Sequence, residues 1–430
     1  MRRALQLAEL GRGRTSPNPL VGAVVLDANG TLVGEGFHER AGGPHAEVGA
    51  LRQAGERARD GTLVVTLEPC CHHGRTPPCS EAVIAAGIQR VVLAMRDPNP
   101  RVDGGGIAQL RAAGLAVIEG VGEAQARALN AAFLHRISTG RPLGLLKWAM
   151  SLDGRTALPN GASQWISGTA ARGWVHRLRA ECDAVIVGGG TVRHDDPLLT
   201  SRGRRTPEPL RVVLSRSLDL PQEARLWDIS SAPTLVAHGP GAPAERCAAL
   251  DRRGVERVEL AACEPRALLD ALAARGANQV LWECGPELAA AALGQGCVQR
   301  VAAVVAPKLL GGLAARTPIG DMGLTELAQA PPWRQATLNR CGVDWIWTLA
   351  EPEDRPLMAA PHPSALEARN ALFSSLSGSA VHHWRIGKIG FGEQRDGPLT
   401  RCTTHSREPD RPKNTSSART VLIQIASPPR

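Results

Sequence analysis

The chain has 430 residues, 43% of them hydrophobic, which suits two cores and something smaller better than one. Its net charge is +9, yet the segment from residue 351 onward holds 11 Lys+Arg and 8 Asp+Glu, leaving a scattered 39 against 33 before it, and with no Tyr and four Phe there are few platforms for stacked bases, so nucleic acid is not an expected partner. No apolar run is long enough for a bilayer and no secretory leader is read, so a membrane partner is excluded and the ten cysteines are expected as reduced thiols in a cytoplasm.

In chain order, residues 5–9 read as the end of a helix. Two apolar, β-branched runs, 20–27 and 31–35, flank Asp27-Ala28-Asn29-Gly30, a hairpin signal. Helical spacing follows over 45–54, then a strand over 62–67, a helix over 80–86 and a strand over 91–95. That alternation predicts an α/β sandwich. Arg141-Pro142 marks a boundary, because a buried-type strand restarts the pattern at 143–150. Apolar runs at 184–187, 210–214, 234–237, 255–260, 279–283 and 301–306 alternate with helical stretches such as 170–179 and 265–275, which predicts a second α/β sheet. After about residue 351, Ser, Pro, Arg and Thr replace the periodic pattern, and disorder is expected apart from one short helix at 366–376. The expected division is 1–140, 141–350 and 351–430, with no internal repeat.

The chemistry concentrates in the first part. His45-Ala46-Glu47 is followed by Pro69-Cys70 and then Cys79, offering one imidazole, two thiolates and one unligated carboxylate. Three protein ligands leave the fourth position of a zinc ion to a solvent molecule, and zinc lowers the pKa of that water from 15.7 to roughly 7. A separate group must then carry the proton to a leaving amine. Glu47, two residues past His45, is the candidate. The set suits hydrolytic deamination, in which H-x-E is paired with two cysteines, usually two residues apart. Here eight residues separate Cys70 from Cys79. A closed structural site is the bland alternative, with Cys71, His72 or His73 as fourth ligand, but it leaves Glu47 without a role. His72 and His73 read equally as substrate contacts or loop stabilisers, and His38, His135, His176, His194 and His238 as structural or exposed.

The run Glu68-Pro69-Cys70-Cys71-His72-His73-Gly74-Arg75-Thr76-Pro77-Pro78-Cys79 resembles the deaminase half of the bifunctional riboflavin-biosynthesis deaminase-reductases. Pro17-Asn18-Pro19 with Val21-Gly22, Pro44-His45-Ala46-Glu47 and Asp97-Pro98-Asn99-Pro100 extend the likeness. The family usually carries a few more residues before the first helix, so an earlier start is expected. The second part resembles the family's reductase half at Ser151-Leu152-Asp153-Gly154-Arg155, Ser163-Gln164-Trp165-Ile166, Gly190-Thr191-Val192 with Asp195-Asp196-Pro197, Glu283-Cys284-Gly285-Pro286-Glu287-Leu288 and Ala306-Pro307-Lys308-Leu309-Leu310-Gly311-Gly312. The resemblance implies a cytidine-deaminase-like α/β/α zinc domain, then a dihydrofolate-reductase-like α/β domain.

The residues of the second part support an anion site independently. Residues 283–291 read as a strand running through Gly285-Pro286 into an alanine-rich helix, whose first amides point outward at its positive end. Gly188-Gly189-Gly190-Thr191 permits another close backbone approach, although such a glycine run also builds ordinary turns. By resemblance, NADPH would contact Ala149, Trp165, Thr191, Asp195 and the segment Gly285, Pro286, Glu287, Leu288, Ala289, Ala290 and Ala291. A phosphorylated pyrimidine substrate would contact Asn18 in the first part, and Ser163, Arg179, Leu199, Arg202 and Glu283 in the second. A guanidinium can grip phosphate in bidentate fashion, while a solvated surface arginine and a core Trp165 are the bland readings. Lys147, Asp195 and Glu283 are the candidates for proton handling. Where the family commonly has Asp-Ser, this chain has Ser215-Arg216-Ser217, and Arg216 is a candidate for the 2′-phosphate.

The resemblance implies zinc-dependent deamination of 2,5-diamino-6-ribosylamino-4(3H)-pyrimidinone 5′-phosphate, then NADPH-dependent reduction of its ribosyl group to ribityl. One Zn2+ per chain and a homo-oligomer are expected. The rivals are a nucleic-acid base deaminase, which does not need residues 143–350, and a zinc protein with an impaired reductase part.

Overall fold

A computed structural model of the chain describes residues 1–73 and 77–351, so the expectations about the tail lie outside the described residues. The first part runs α1 (Arg2–Glu9), β1 (Gly22–Leu26), β2 (Leu32–Phe37), α2 (Ala46–Ala54), β3 (Thr62–Val65), α3 (Cys79–Ala85), β4 (Arg90–Leu93), α4 (Gly105–Ala112), β5 (Ala116–Ile118), α5 (Glu123–Leu129) and α6 (Ala131–Thr139). Its five strands pair in the order β2-β1-β3-β4-β5, with β1 antiparallel to both neighbours and β3, β4 and β5 parallel. Successive side chains of a strand face opposite sides. Ala23, Val25, Leu63, Val65, Val91 and Leu93 therefore enter one core with Ala50, Leu51 and Val83, while Val24, Val64 and Val92 pack beneath Ala4 and Leu7 of α1.

Two glycines decide how closely α2 lies on this sheet. A Cβ at Gly34 would stand 2.2 Å from the Ala50 carbonyl oxygen, and one at Gly36 would stand 2.3 Å from that of Ala46. Only a strand without side chains there admits the alanine-rich face of α2, and the start of α2 carries His45 and Glu47.

The second part runs β6 (Leu143–Ser151), α7 (Thr169–Glu181), β7 (Ala184–Gly188), α8 (Gly189–Asp195), β8 (Leu210–Leu214), β9 (Thr234–His238), α9 (Ala244–Arg252), β10 (Glu256–Glu259), α10 (Pro265–Ala274), β11 (Gln279–Trp282), α11 (Pro286–Gly294), β12 (Arg300–Ala306), β13 (Arg334–Cys341) and β14 (Asp344–Ala350). Nine strands pair as β10-β9-β8-β7-β11-β6-β12-β14-β13, parallel except for the pairs made by β14. Leu146, Ile186, Val212, Val280 and Trp282 face Leu268, Leu269, Leu272 and Ala289, and the alternate residues Leu145, Val185, Val187, Val213 and Leu281 face Leu178, Leu250 and Trp227. Both faces of the parallel sheet are covered, as parallel sheets require. The described residues belong to one compact unit.

The strand expected at 255–260 is Glu256–Glu259, and the helix fragment at 5–9 is the end of α1. The edge hairpin β13–β14 and the elements α4, β5, α5 and α6 had no expectation. Cys182 and Cys297 are buried, whereas Cys247, Cys263, Cys284 and Cys341 are only partly so.

Candidate functional site

His45 caps α2 from an extended backbone (φ −74, ψ 161), so its ring leaves the chain just before the first helical turn. Cys79 opens α3 after Pro78. Cys70 lies on the loop after β3, next to Glu68, whose carboxylate accepts the backbone N–H groups of Asp97 (3.2 Å), Gly104 (3.0 Å) and Ile107 (3.1 Å). That grip ties the loop to the start of α4. The ligand atoms of His45, Cys70 and Cys79 all lie within 4.8 Å of one another. His45 Nδ1 stands 3.2 Å from Cys79 Sγ and 3.5 Å from Cys70 Sγ, which in turn accepts the Cys79 N–H at 3.3 Å.

One nitrogen and two sulfurs at this spacing are a donor set that zinc takes readily. Among the described residues no fourth donor joins the group: Cys71 Sγ is directed at the Arg101 carbonyl (3.8 Å), and neither His72 nor His73 belongs to it. The Cys70 thiol is held down to about 4, first by its hydrogen bond with Cys79 and also by His45, while that same bond and burial push Cys79 up. An imidazole and two sulfurs converging this closely suit a cation.

Glu47, in the first turn of α2, is 3% exposed, and its Oε2 is buried without a hydrogen-bond partner. An unpartnered buried carboxylate oxygen is costly unless a ligand meets it. Burial pushes the Glu47 carboxyl up to about 7, with His45 opposing. Asn18 lies nearby, its Nδ2 3.0 Å from His38 Nε2. His38 Nδ1 is 3.0 Å from the Pro44 carbonyl, and its ring meets that of His45 edge to face at 5.4 Å. His38, expected to be structural or exposed, is 2% exposed and ties Asn18 to the donor triangle.

The second site is a cavity of about 1320 Å³ at the carboxyl ends of the parallel strands. A single small-molecule site holds roughly 300–1,000 Å³, so this one has room for two molecules side by side. Ala149, Trp165, Thr191, Asp195, Gly285, Pro286, Glu287, Leu288 and Ala291 line it, as do Ser163, Arg179, Leu199, Arg202 and Glu283. Ala289 and Ala290 do not: they are 0% and 9% exposed, and Ala289 packs into the core with Trp282. Helical periodicity separates them from Leu288 and Ala291. Trp165 is 62% exposed and stacks under the Arg172 guanidinium at 4.7 Å, so the core reading fails. Cys284, within the quoted Glu283 to Leu288 motif, also lines the cavity, as do His176, His194 and Cys263, which nothing in their local pattern marked.

Glu283 is the electrostatic centre of this cavity. It follows β11 and pairs with Arg179 through two bonds (2.5 and 3.1 Å) and with Lys147 at 3.5 Å. Burial pushes its carboxyl up, but the two cations outweigh that and hold it down to about 2. It therefore stays ionised near neutrality. Of the three candidates for proton handling, Glu283 has no proton to give there.

Comparison with known proteins fits both halves. Residues 142–347 match the family described as RibD C-terminal domain, and residues 1–95 match the cytidine and deoxycytidylate deaminase zinc-binding region. The riboflavin biosynthesis protein RibD of Synechocystis sp. is 50% identical over 348 residues, 81% of this chain and 94% of that one. The chain belongs to the RibD family. RibD of Escherichia coli is 43% identical over 80% of this chain and 96% of its own length. The solved RibD of Acinetobacter baumannii superposes with a TM-score of 0.74 at 40% identity, covering 81% of this chain and 97% of that one. The protein is thus an enzyme of riboflavin biosynthesis with deaminase and reductase activities, its RibD-type halves each carrying one, and the rival readings are not favoured. Among the described residues no helix is long and apolar enough to cross a membrane.

Proposed function

We propose that residues 1–140 deaminate 2,5-diamino-6-ribosylamino-4(3H)-pyrimidinone 5′-phosphate and that residues 141–350 then reduce the ribosyl group of the product to ribityl. The observation that carries the first step is the His45, Cys70 and Cys79 triangle beside the unpartnered Oε2 of Glu47. These three side chains would hold one Zn2+, which when bound makes water acidic enough to be deprotonated near neutral pH. Glu47 takes a proton from water at Oε2 as its oxygen adds to the ring carbon bearing the 2-amino group, and returns the proton to that nitrogen as the C–N bond breaks and ammonia leaves. A carboxyl near 7 is suited to both halves of that transfer. Asn18, oriented by His38, offers the pyrimidine its remaining amide oxygen.

In the second site, the Gly285-Pro286 turn and the glycines after β7 would receive NADPH, which supplies a hydride when bound. Arg202 faces the shared cavity and would take the substrate phosphate. Arg179 is already engaged by Glu283, so it would reach the substrate as part of that ionised pair. Lys147, 3.5 Å from Glu283 and lining the cavity, would supply the proton, and Asp195 accepts the Ser163 hydroxyl at 3.1 Å. Arg216 lines the cavity beyond β8 and is the candidate for the cofactor's 2′-phosphate. A cytoplasmic setting and a homo-oligomer complete the reading. The nine described cysteines are all free, and the edge hairpin leaves Trp345 and Trp347 exposed.

The test is incubation of purified protein with the diaminopyrimidine phosphate, with and without NADPH. Ammonia release in both, and NADPH oxidation only after deamination, is the expected result. No ammonia from metal-replete protein would overturn the first assignment, and no NADPH oxidation with authentic deaminated product the second.

A further inference from the structure

The loop that carries Asn18 is held by residues from the other half of the chain. Asp183 and Asn278 stand side by side at the amino ends of the paired strands β7 and β11. One oxygen of Asp183, Oδ2, accepts the backbone N–H groups of Asn278 (2.7 Å) and Gln279 (3.0 Å), and also the hydroxyl of Ser16 at 2.9 Å. Asn278 donates through Nδ2 to the Asn18 carbonyl at 3.3 Å and accepts Arg136 Nε on Oδ1 at 2.6 Å, while Arg136 donates to the Pro17 carbonyl at 3.0 Å. Three consecutive loop residues are thereby fixed. The approach is backbone-close: a Cβ at Gly13 would stand 2.2 Å from the Ala180 carbonyl oxygen, and one at Gly276 would stand 3.3 Å from Pro17. Asn278 is 6% exposed, so its bonds are shielded from competing water.

We propose that the reductase half positions the substrate loop of the deaminase half, with Asn278 and Asp183 as positioning residues for Asn18. The Pro44 carbonyl can only accept, so His38 Nδ1 carries the proton and the bare Nε2 accepts from Asn18 Nδ2. That leaves Asn18 Oδ1 as the acceptor for a donor on the pyrimidine ring. Its placement depends on where the Asn18 backbone lies, and the Asn18 backbone is set from across the boundary. The deaminase site is complete only when the second half is folded beneath it, which goes beyond two activities sharing one chain. The inference rests on the deaminase reading above.

The test uses the full-length, metal-replete chain with Asn278→Asp, which keeps the size and the acceptor facing Arg136 but turns the donor at Asn18 into an acceptor. The expected result is a roughly tenfold rise in KM for the diaminopyrimidine phosphate with kcat within about twofold, while zinc content and reduction of authentic deaminated product stay at the wild-type level. Asp183→Asn, which weakens the hold on Ser16, is expected to move KM the same way. Unchanged deaminase KM in both variants would overturn the proposal. So would loss of both activities together, since Asn278 would then only hold the fold. Wild-type protein assayed alongside separates these outcomes from failure of the deaminase assignment itself, because that failure would show as no ammonia from the unaltered chain.

Discussion

Glu47 and Glu283 are both buried carboxylates, and their surroundings drive them in opposite directions. Glu47 has no cation bonded to Oε2 and rises to about 7, whereas Glu283 is clasped by Arg179 and Lys147 and falls to about 2. Glu47→Gln removes the proton carrier but none of the three metal ligands. Deamination is expected to fall by about 10²–10⁴-fold, read as ammonia release, with zinc content and the reductase rate unchanged. For Glu283 the sign follows from linkage. A carboxyl whose folded value of about 2 lies below its ordinary 4.5 contributes stability that is fully present above pH 4.5 and is lost as the pH falls toward 2. In urea titrations, Glu283→Gln is therefore expected to be less stable than wild type at neutral pH, and the gap to narrow as pH falls through that window. A gap independent of pH would show that the ion pair is not its source.

At the scale of elements, the deaminase chemistry depends on how a helix sits on a strand. α2 presents Ala46, Ala50 and Ala54 to β2, and Gly34 and Gly36 remove the side chains that would hold it away. Gly36→Ala places a methyl against the Ala46 carbonyl, next to His45. Overpacking of this kind costs about 1–3 kcal/mol. The expected outcome is a lower melting temperature together with weaker zinc retention on dialysis, since the displaced end of the helix carries a ligand. The strands and helices with strong apolar periodicity were legible in the sequence, as were Pro44-His45-Ala46-Glu47 and the Cys70 to Cys79 spacing, because their meaning is local. β13 escaped because its Arg334–Cys341 run is mostly polar, as an edge strand permits. Ala289 and Ala290 were read as one block with Leu288 and Ala291, and only the rotation of α11 distinguishes the residues that meet the cavity from those buried away from it.

Over the whole molecule, the two sites draw on different chemistry and are expected to fail separately. Removing metal with a chelator should abolish ammonia release while the chain still oxidises NADPH with deaminated product, and restoring zinc should restore the first activity. Long-range relations were the least legible part. His38 reaches Asn18 across 20 residues and Asn278 reaches it across 260, and no spacing rule connects residues that only the fold brings together. His176 and His194 reach the cavity for the same reason, from helices whose own patterns record only which face is apolar.

The strands of the large sheet have direction, and the Asn18 loop and the cavity lie at opposite termini of them: Asp183 and Asn278 meet that loop where β7 and β11 begin, and Gly188 and Glu283 open the cavity where those strands end. Deaminated product released at the first centre would then reach the second from solution. It should therefore mix with the surrounding pool: isotopically labelled diaminopyrimidine turned over in the presence of excess unlabelled intermediate is expected to yield ribityl product diluted to the label content of that pool. Retention of the full label would point to a protected passage.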